Sequence, residues 1–116
     1  MYIADGKTNG PAFSWPDGKR IAVMVTFDYD AEFLRISRAK SKGTSIGFTD
    51  FSRGQYGPHE GLARCLDMLD TMNIKSTFFV PGAVIETYRD TVEEIHRRGH
   101  ELACHGYRHE SDPELS

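Results

Sequence analysis

The sequence has little of the features that define several specialised classes of protein. It has only two cysteines in 116 residues, Cys65 and Cys104, which are too few for a disulfide-rich scaffold. Its formal net charge is −3 with acidic and basic residues interspersed, so we expect no nucleic-acid partner. Its longest apolar run, Ile21 to Phe27, is far shorter than the ~20 residues of a membrane-spanning helix, so we expect no membrane partner. A hydrophobic content of 39% therefore indicates one globular domain with a core.

The N-terminal region is not expected to be a secretory signal. Residues 1–20 do not show the basic-then-apolar order of a secretory signal, which favours a cytoplasmic location. They are rich in turn-forming residues, and we expect residues 1–18 to form an N-terminal arm ahead of a domain at 19–116, with Trp15 packed against that domain. Both cysteines fall inside apolar stretches, so we expect them to be small buried hydrophobic residues. A reducing cytoplasm favours free thiols, although a disulfide between them stays open.

Three short strands are predicted. The stretch from Lys19 to Asp28 contains a continuous, β-branched apolar run, which is typical of a strand buried on both faces of a sheet. Lys75 to Val80 is the second strand, which Pro81 and Gly82 bring to an end. Glu101 to Cys104 is the third.

Apolar residues at three- and four-residue spacing predict helices between the later strands. The first of these helices opens at Pro58 and ends at Asn73, and its apolar stripe comprises Leu62, Cys65, Leu66, Leu69 and Met72. Helical spacing then resumes at Val84, Ile85 and Tyr88. A capping box of Asp90 and Glu93 predicts a new helix start, and Gly99 predicts its end.

The remaining stretch, residues 31–59, shows no clear period and is rich in glycine. A stretch of this length predicts a functional loop or an insertion, with room for a short helix around Ala31 to Ala39. The order along the chain is then strand, loop, helix, strand, helix and strand. That alternation predicts an α/β fold of parallel β/α units with right-handed crossovers.

Polar residues suited to metal binding or catalysis follow two of the predicted strands. Asp28 and Asp30 lie at the end of the first strand, His105 follows the third, and His109 is four residues later. Ligands bind beyond the C-terminal ends of strands in parallel α/β folds, so we expect these four residues to share one rim. Two imidazoles and one carboxylate hold a divalent ion with open positions, and a second carboxylate supplies a general base.

Each of the two pairs has an ordinary explanation when it is taken alone. An Asp-x-Asp after a strand is often a turn or a helix cap. A His-x-x-x-His pair is often two solvated side chains one helical turn apart. The joint placement at strand ends favours one metal site over two unrelated pairs.

Three strings of the sequence resemble the polysaccharide deacetylase (NodB-homology) family and follow that family's order. They are Thr26 to Asp30 (TFDYD), Ser76 to Gly82 (STFFVPG) and Gly99 to Glu110 (GHELACHGYRHE). The segment from Arg53 to Gly57 (RGQYG), with Gly61 beyond it, is similar to the branch of peptidoglycan-deacetylase-like and allantoinase-like proteins. The resemblance runs from about residue 19 to the C-terminus and implies the N-terminal part of a distorted (β/α) barrel.

The resemblance implies a role for each of the four polar residues. Asp28 matches the catalytic base, and Asp30 matches the aspartate ligand, displaced by one position because Tyr29 intervenes as it does in this branch. His105 and His109 match the histidine ligands of a metal ion that is usually zinc, with cobalt, nickel or manganese as alternatives. The implied reaction is metal-dependent hydrolysis of a non-peptide C–N (amide) bond, which deacetylates an N-acetylated sugar or a peptidoglycan-like substrate.

The sequence departs from the family's pattern at two points. Gly106 replaces the hydroxyl residue of the histidine motif, and the later arginine and histidine (general acid) motifs do not occur before Ser116. A barrel of this kind typically has ~250 residues, so we expect the chain to be the N-terminal part of a domain and inactive on its own. Three buried-type strands would leave one face open, which predicts a missing C-terminal part or a homo-oligomer.

Two alternatives to this function stay open. One is a cyclic-amide hydrolase of the allantoinase or imidase type, some members of which work without metal and act on small molecules. The other is a non-catalytic metal-binding fragment or interaction module, which would need no complete active site. The intact set of Asp30, His105 and His109 favours a metal-dependent reaction over a metal-free one.

Other polar residues receive ordinary explanations from the sequence. Glu32 is expected to be a solvated loop carboxylate, and Arg53 and Tyr56 are either substrate contacts or parts of a glycine-rich turn. Among the remaining histidines, a surface position is expected for His59 and His96 and a structural role for His100.

Overall fold

The structure is a computed structural model that describes residues 14–110. Residues 1–13 of the expected N-terminal arm lie outside the described residues, so the arm's boundary stays a prediction. Trp15, which precedes a short 3-10 turn at Pro16–Gly18, is 40% exposed. No helix among residues 14–110 is long and apolar enough to cross a membrane.

A parallel sheet of three strands, in the order β1-β2-β3, forms the centre of the fold. The strands are β1 (Thr26–Asp28), β2 (Thr77–Val80) and β3 (Glu101–Cys104). Thr26 lies opposite Thr77, which lies opposite Glu101, so the three strands start level with one another and run the same way. This arrangement confirms the α/β class with parallel strands, and β3 has the bounds predicted from the sequence.

The prediction for the first strand was wrong in its length and in its burial. Only its last three residues are strand, and the preceding side chains of Ile21, Val23 and Met24 are 75%, 79% and 88% exposed. The reason is the register, because β2 begins at Thr77, opposite Thr26, and the residues before Val25 have no partner strand. A single backbone hydrogen bond, from the Thr77 N–H to the Val25 carbonyl at 3.2 Å, continues the pairing.

Two helices occupy most of the stretch that the sequence suggested was an irregular loop. They are α1 (Phe33–Ser41), which confirms the short helix expected near residues 31–39, and α2 (Phe48–Tyr56). The next helix does not open at Pro58, since α2 continues through a π-helical segment (Gly57–Gly61) into α3 (Leu62–Thr71). A proline disturbs regular α-helical hydrogen bonding, and the wider π turn accommodates it without ending the helix.

The last two helices are α4 (Gly82–Thr87) and α5 (Arg89–Arg97). The predicted capping box at Asp90 was wrong, because α5 begins one residue earlier and no side chain caps its first turn. The hydroxyl of Thr91 instead donates to the carbonyl of Tyr88 at 2.7 Å. The predicted helix ends are confirmed, since Asn73 and Gly99 follow α3 and α5 with φ of +53° and +76°.

The core lies between the sheet and α3, α4 and α5. Its least exposed apolar side chains, each 1% exposed or less, are Leu66, Leu69, Phe78, Val84 and Ile95. The ring of Phe27 on β1 stacks on that of Phe78 on β2, with centroids 5.0 Å apart. The prediction that both cysteines are buried was wrong for Cys104, which is exposed on the outer strand β3. Cys65 is half-buried, and both residues are free thiols.

A close approach between α2 and the start of α1 requires glycine at position 54. A Cβ atom built on Gly54 would lie 2.5 Å from the Glu32 Cα, whereas one on Gly57 would meet only a Tyr29 ring atom at 3.9 Å. We expect Gly54→Ala to destabilise the protein by about 1–3 kcal/mol through overpacking. Gly57→Ala is the matched control, and it should be neutral or up to about 1 kcal/mol stabilising because alanine favours helix. Urea unfolding measures both, and equal effects would contradict the contact.

His100 is 3% exposed beneath β2, which supports the structural role expected for it. Its Nδ1 accepts the Ser76 N–H at 3.2 Å, and its ring packs edge-on against Phe78. Burial, with a smaller contribution from the positive charge of Lys75, lowers the pKa of His100 below its ordinary value of 6.5.

This lowered pKa predicts an acid-sensitive step in stability. The unfolded chain binds a proton at His100 near pH 6.5 and the folded chain binds it only at lower pH, so stability is lost as the pH falls below about 6.5. We expect His100→Gln to lessen that dependence in urea unfolding series between pH 7 and pH 5. The exposed histidine His96 serves as control, and a slope that His96→Gln changes more than His100→Gln would refute the assignment.

Candidate metal centre

The structure brings Asp30, His105 and His109 together beyond the C-terminal ends of the strands. One donor atom from each of these side chains lies within 4.8 Å of the other two. The Nε2 of His105 is 3.5 Å from one Asp30 oxygen, and the Nε2 of His109 is 3.9 Å from the other. Ligands about 2.1 Å from a tetrahedral ion lie roughly 3.4 Å from one another, so this spacing fits a small divalent cation.

Unsatisfied polar atoms support the same interpretation. Asp30 Oδ1 and His105 Nε2 are buried and have no hydrogen-bond partner among the described residues. Buried donors and acceptors nearly always have hydrogen-bond partners, so two neighbouring buried atoms without one need an explanation. A cation between them would supply it, and the donor set of one carboxylate and two imidazoles is one that zinc prefers.

Burial governs the electrostatics of Asp30. Its side chain is 12% exposed, and desolvation raises the pKa of its carboxyl above the ordinary value. The neighbouring His109 and His105 act in the opposite direction, and the carboxylate of Asp28 adds to the rise. A bound cation would favour the ionised carboxylate and so offset the cost of burying it.

The loop after β3 orients the side chains of the two histidines. Gly106 has φ of +69°, a conformation that residues with a side chain rarely adopt. Glycine in place of the family's hydroxyl residue therefore suits the conformation of this loop. The carbonyls of Gly106 and Tyr107 accept the N–H groups of Gly82 and Ala83 at 3.0 and 2.8 Å, which ties the loop to α4. His109 itself has φ of +58°.

Two side chains hold the end of this loop. The Ser37 hydroxyl on α1 donates to the carbonyl of His109 at 2.7 Å. One Glu110 carboxylate oxygen accepts the N–H groups of Tyr107 and Arg108 at 3.2 and 2.9 Å. The strained backbone at His109 is therefore fixed by contacts on both sides, as is common where a side chain has a functional orientation.

Asp28 lies outside the three-residue cluster but next to it. It is exposed at the end of β1 and lines, together with Asp30, an open cavity of about 280 Å³. Three guanidinium groups line the same cavity, from Arg35, Arg38 and Arg53. Arg35 is paired with Asp50 at 3.2 Å. Tyr56 is 54% exposed and is not among the residues that line this cavity.

The expectation for Glu32 was wrong, because its side chain is 5% exposed and not solvated. The hydroxyl of Tyr88 donates to both of its carboxylate oxygens, at 3.0 and 2.9 Å. The two residues are 56 positions apart, and no local pattern indicates the contact. His59 and His96 are exposed as expected, with the His59 ring edge-on to that of Tyr88.

Comparisons with known proteins give matches to one family. Residues 16–116 match the family model described as polysaccharide deacetylase. A peptidoglycan deacetylase-like protein of Gibberella zeae is 31% identical over 99 residues, which cover 84% of this chain and 29% of that protein. A peptidoglycan deacetylase of Helicobacter pylori is 37% identical over 93 residues, covering 80% of this chain and 31% of that protein.

A solved structure shows the same fold. It is the crystal structure of a Mycobacterium smegmatis protein that has been provisionally assigned as a polysaccharide deacetylase. The two superpose with a TM-score of 0.78 at 40% sequence identity. The match covers 94% of this chain and 37% of the other. The chain thus spans roughly a third of the length of the proteins that it matches.

Proposed function

Because the chain belongs to the polysaccharide deacetylase family of hydrolases, we propose that Asp30, His105 and His109 hold a divalent metal ion for amide hydrolysis, with Asp28 as the catalytic base. The observation that carries this proposal is the convergence of the three donor groups within 4.8 Å. Zinc suits the donor set best, since it takes two imidazoles and a carboxylate and leaves a position for water or substrate. Cobalt, nickel and manganese are alternatives with the same ligands.

The chain's own residues have separate tasks in this reaction. When bound, the ion would polarise the amide carbonyl and lower the pKa of a water molecule toward about 7. Asp28 is exposed beside the triad, where its carboxylate accepts the proton of the attacking water. The two histidines are held in place by the contacts that Ser37 and Glu110 make with their loop.

The substrate that we propose is an N-acetylated sugar or a peptidoglycan-like polymer, on which an acetyl C–N bond is cleaved. The names of the relatives from Gibberella zeae and Helicobacter pylori support this substrate class. We also propose that the parallel sheet belongs to a (β/α) barrel whose further strands come from a missing C-terminal part or a partner copy. Exposed Ile21, Val23 and Met24 would then be covered by that part.

Metal binding tests the proposal directly. We expect one zinc ion per chain after dialysis, as measured by elemental analysis, with a dissociation constant obtained by competition with a chelator. Asp30→Ala should weaken binding by about 100-fold or more, since even outer partners of metal ligands contribute about 10–100-fold. His96→Ala, which removes an exposed histidine that is not one of the three clustered residues, should leave binding unchanged. A wild-type chain that retains no metal would overturn the proposal.

Turnover by the isolated chain separates the remaining alternatives. We expect none with N-acetylated chito-oligosaccharides or with cyclic imides, because the chain spans only about 30% of its curated relatives. Release of acetate, measured with an enzyme-coupled assay, would show instead that these residues suffice for deacetylation. Metal-independent opening of the cyclic imide would favour the cyclic-amide hydrolase.

A further inference from the structure

We propose that a buried polar network of Tyr29, Glu32, Tyr88 and Thr91 positions Asp30 for the metal ion. Glu32 and Tyr88 are then positioning residues of the centre, although neither reaches the ion. The inference rests on the proposed function, because it assigns a task in metal binding to residues outside the ligand set. It also gives a reason for burying a carboxylate that the hydrolysis itself does not use.

The first half of the network holds the chain on the C-terminal side of Asp30. Glu32 is 5% exposed, and the hydroxyl of Tyr88 donates to both of its oxygens. The Gln55 side chain on α2 makes a further hydrogen bond with the Tyr88 hydroxyl. Glu32 is also the residue from which α1 starts, since its carbonyl accepts the N–H groups of Arg35 and Ile36, each at 3.0 Å.

The second half holds the chain on the N-terminal side of Asp30. Tyr29 is 6% exposed, and its hydroxyl lies 2.8 Å from the Thr91 hydroxyl on α5. The Thr91 hydroxyl donates its one proton to the carbonyl of Tyr88, so Tyr29 is the donor in that contact. Both halves therefore end at the junction of α4 and α5, and Tyr88 belongs to each of them.

The backbone between the two anchors is strained. Ala31, between Asp30 and Glu32, has φ of +49°, in the left-handed region that residues other than glycine rarely adopt. Such a conformation persists only where its surroundings fix it. Tyr29 and Glu32 fix it from either side, while the Gly54 backbone packs directly against the Glu32 Cα. The Asp30 carboxylate thus projects from a turn that is held at both ends.

Stability alone explains this network poorly. A buried carboxylate with hydroxyl hydrogen bonds from one tyrosine is a costly arrangement, and apolar residues of similar volume are often as stabilising or more so. The hydrogen bonds that the Glu32 carboxylate accepts fix the orientation of the turn at Ala31. Directional contacts that hold a metal ligand in place are the usual source of affinity beyond the ligands themselves.

The test uses cobalt(II), whose visible absorption reports the geometry of its ligands. We expect Tyr88→Phe and Glu32→Leu each to weaken cobalt binding by about 10–100-fold and to alter the absorption band. Glu32→Gln keeps an acceptor oxygen and should recover part of the affinity that Glu32→Leu loses. The double variant Glu32→Leu with Tyr88→Phe should lose less than the product of the two single effects, because both remove one interaction.

The matched controls are Tyr56→Phe and Glu60→Gln, which change an exposed tyrosine and an exposed carboxylate. Both should bind cobalt as the wild-type chain does. Urea unfolding of the metal-free variants is measured alongside, and Thr91→Val supplies a further test should Glu32→Leu not fold. Variants that unfold more readily but keep the wild-type affinity and absorption band would show a merely structural role and overturn the inference alone. A wild-type chain that binds no cobalt would overturn the proposed function as well.

Discussion

The parallel register of three short strands is the constraint on which the site depends. Because β1, β2 and β3 start level and run the same way, their carboxyl ends meet at one edge of the sheet. Asp30 and His105 are 75 positions apart in the sequence, and because of this register an oxygen of the first and the Nε2 of the second lie only 3.5 Å apart. A slip of one residue in either ladder would also turn alternate side chains to the opposite face.

Hydrogen bonds hold both of the segments that carry the candidate ligands. The first two N–H groups of α4 donate to carbonyls of the histidine loop, and α1 holds the end of that loop through Ser37. The aspartate turn is held from the other side by Tyr29 and Glu32. The candidate ligands therefore come from two segments, each with its own supports, and each segment contains a non-glycine residue with positive φ, Ala31 and His109.

Local patterns predicted those features that depend on neighbours in the sequence. The strand Glu101–Cys104 and the helix ends at Asn73 and Gly99 follow from short-range preferences, and all three agree with the structure. The predicted burial of the stretch before Thr26 was wrong, because burial there requires a partner strand and β2 does not extend that far. The site cluster was predictable because strand ends share a rim. The buried Glu32 was not, because its partner Tyr88 lies in a different β/α unit.

Helix α1 touches both halves of the candidate centre, and this has a dynamic consequence. Its first turn is joined to Asp30, whose carbonyl accepts the Phe33 N–H at 3.0 Å, and its second turn is joined to the backbone of His109 through Ser37. Any local unfolding of this nine-residue helix would free a donor group from each half at once. An ion bound at the proposed centre would therefore also protect the α1 amides from solvent exchange, and the ion and the helix would stabilise each other by the same free energy.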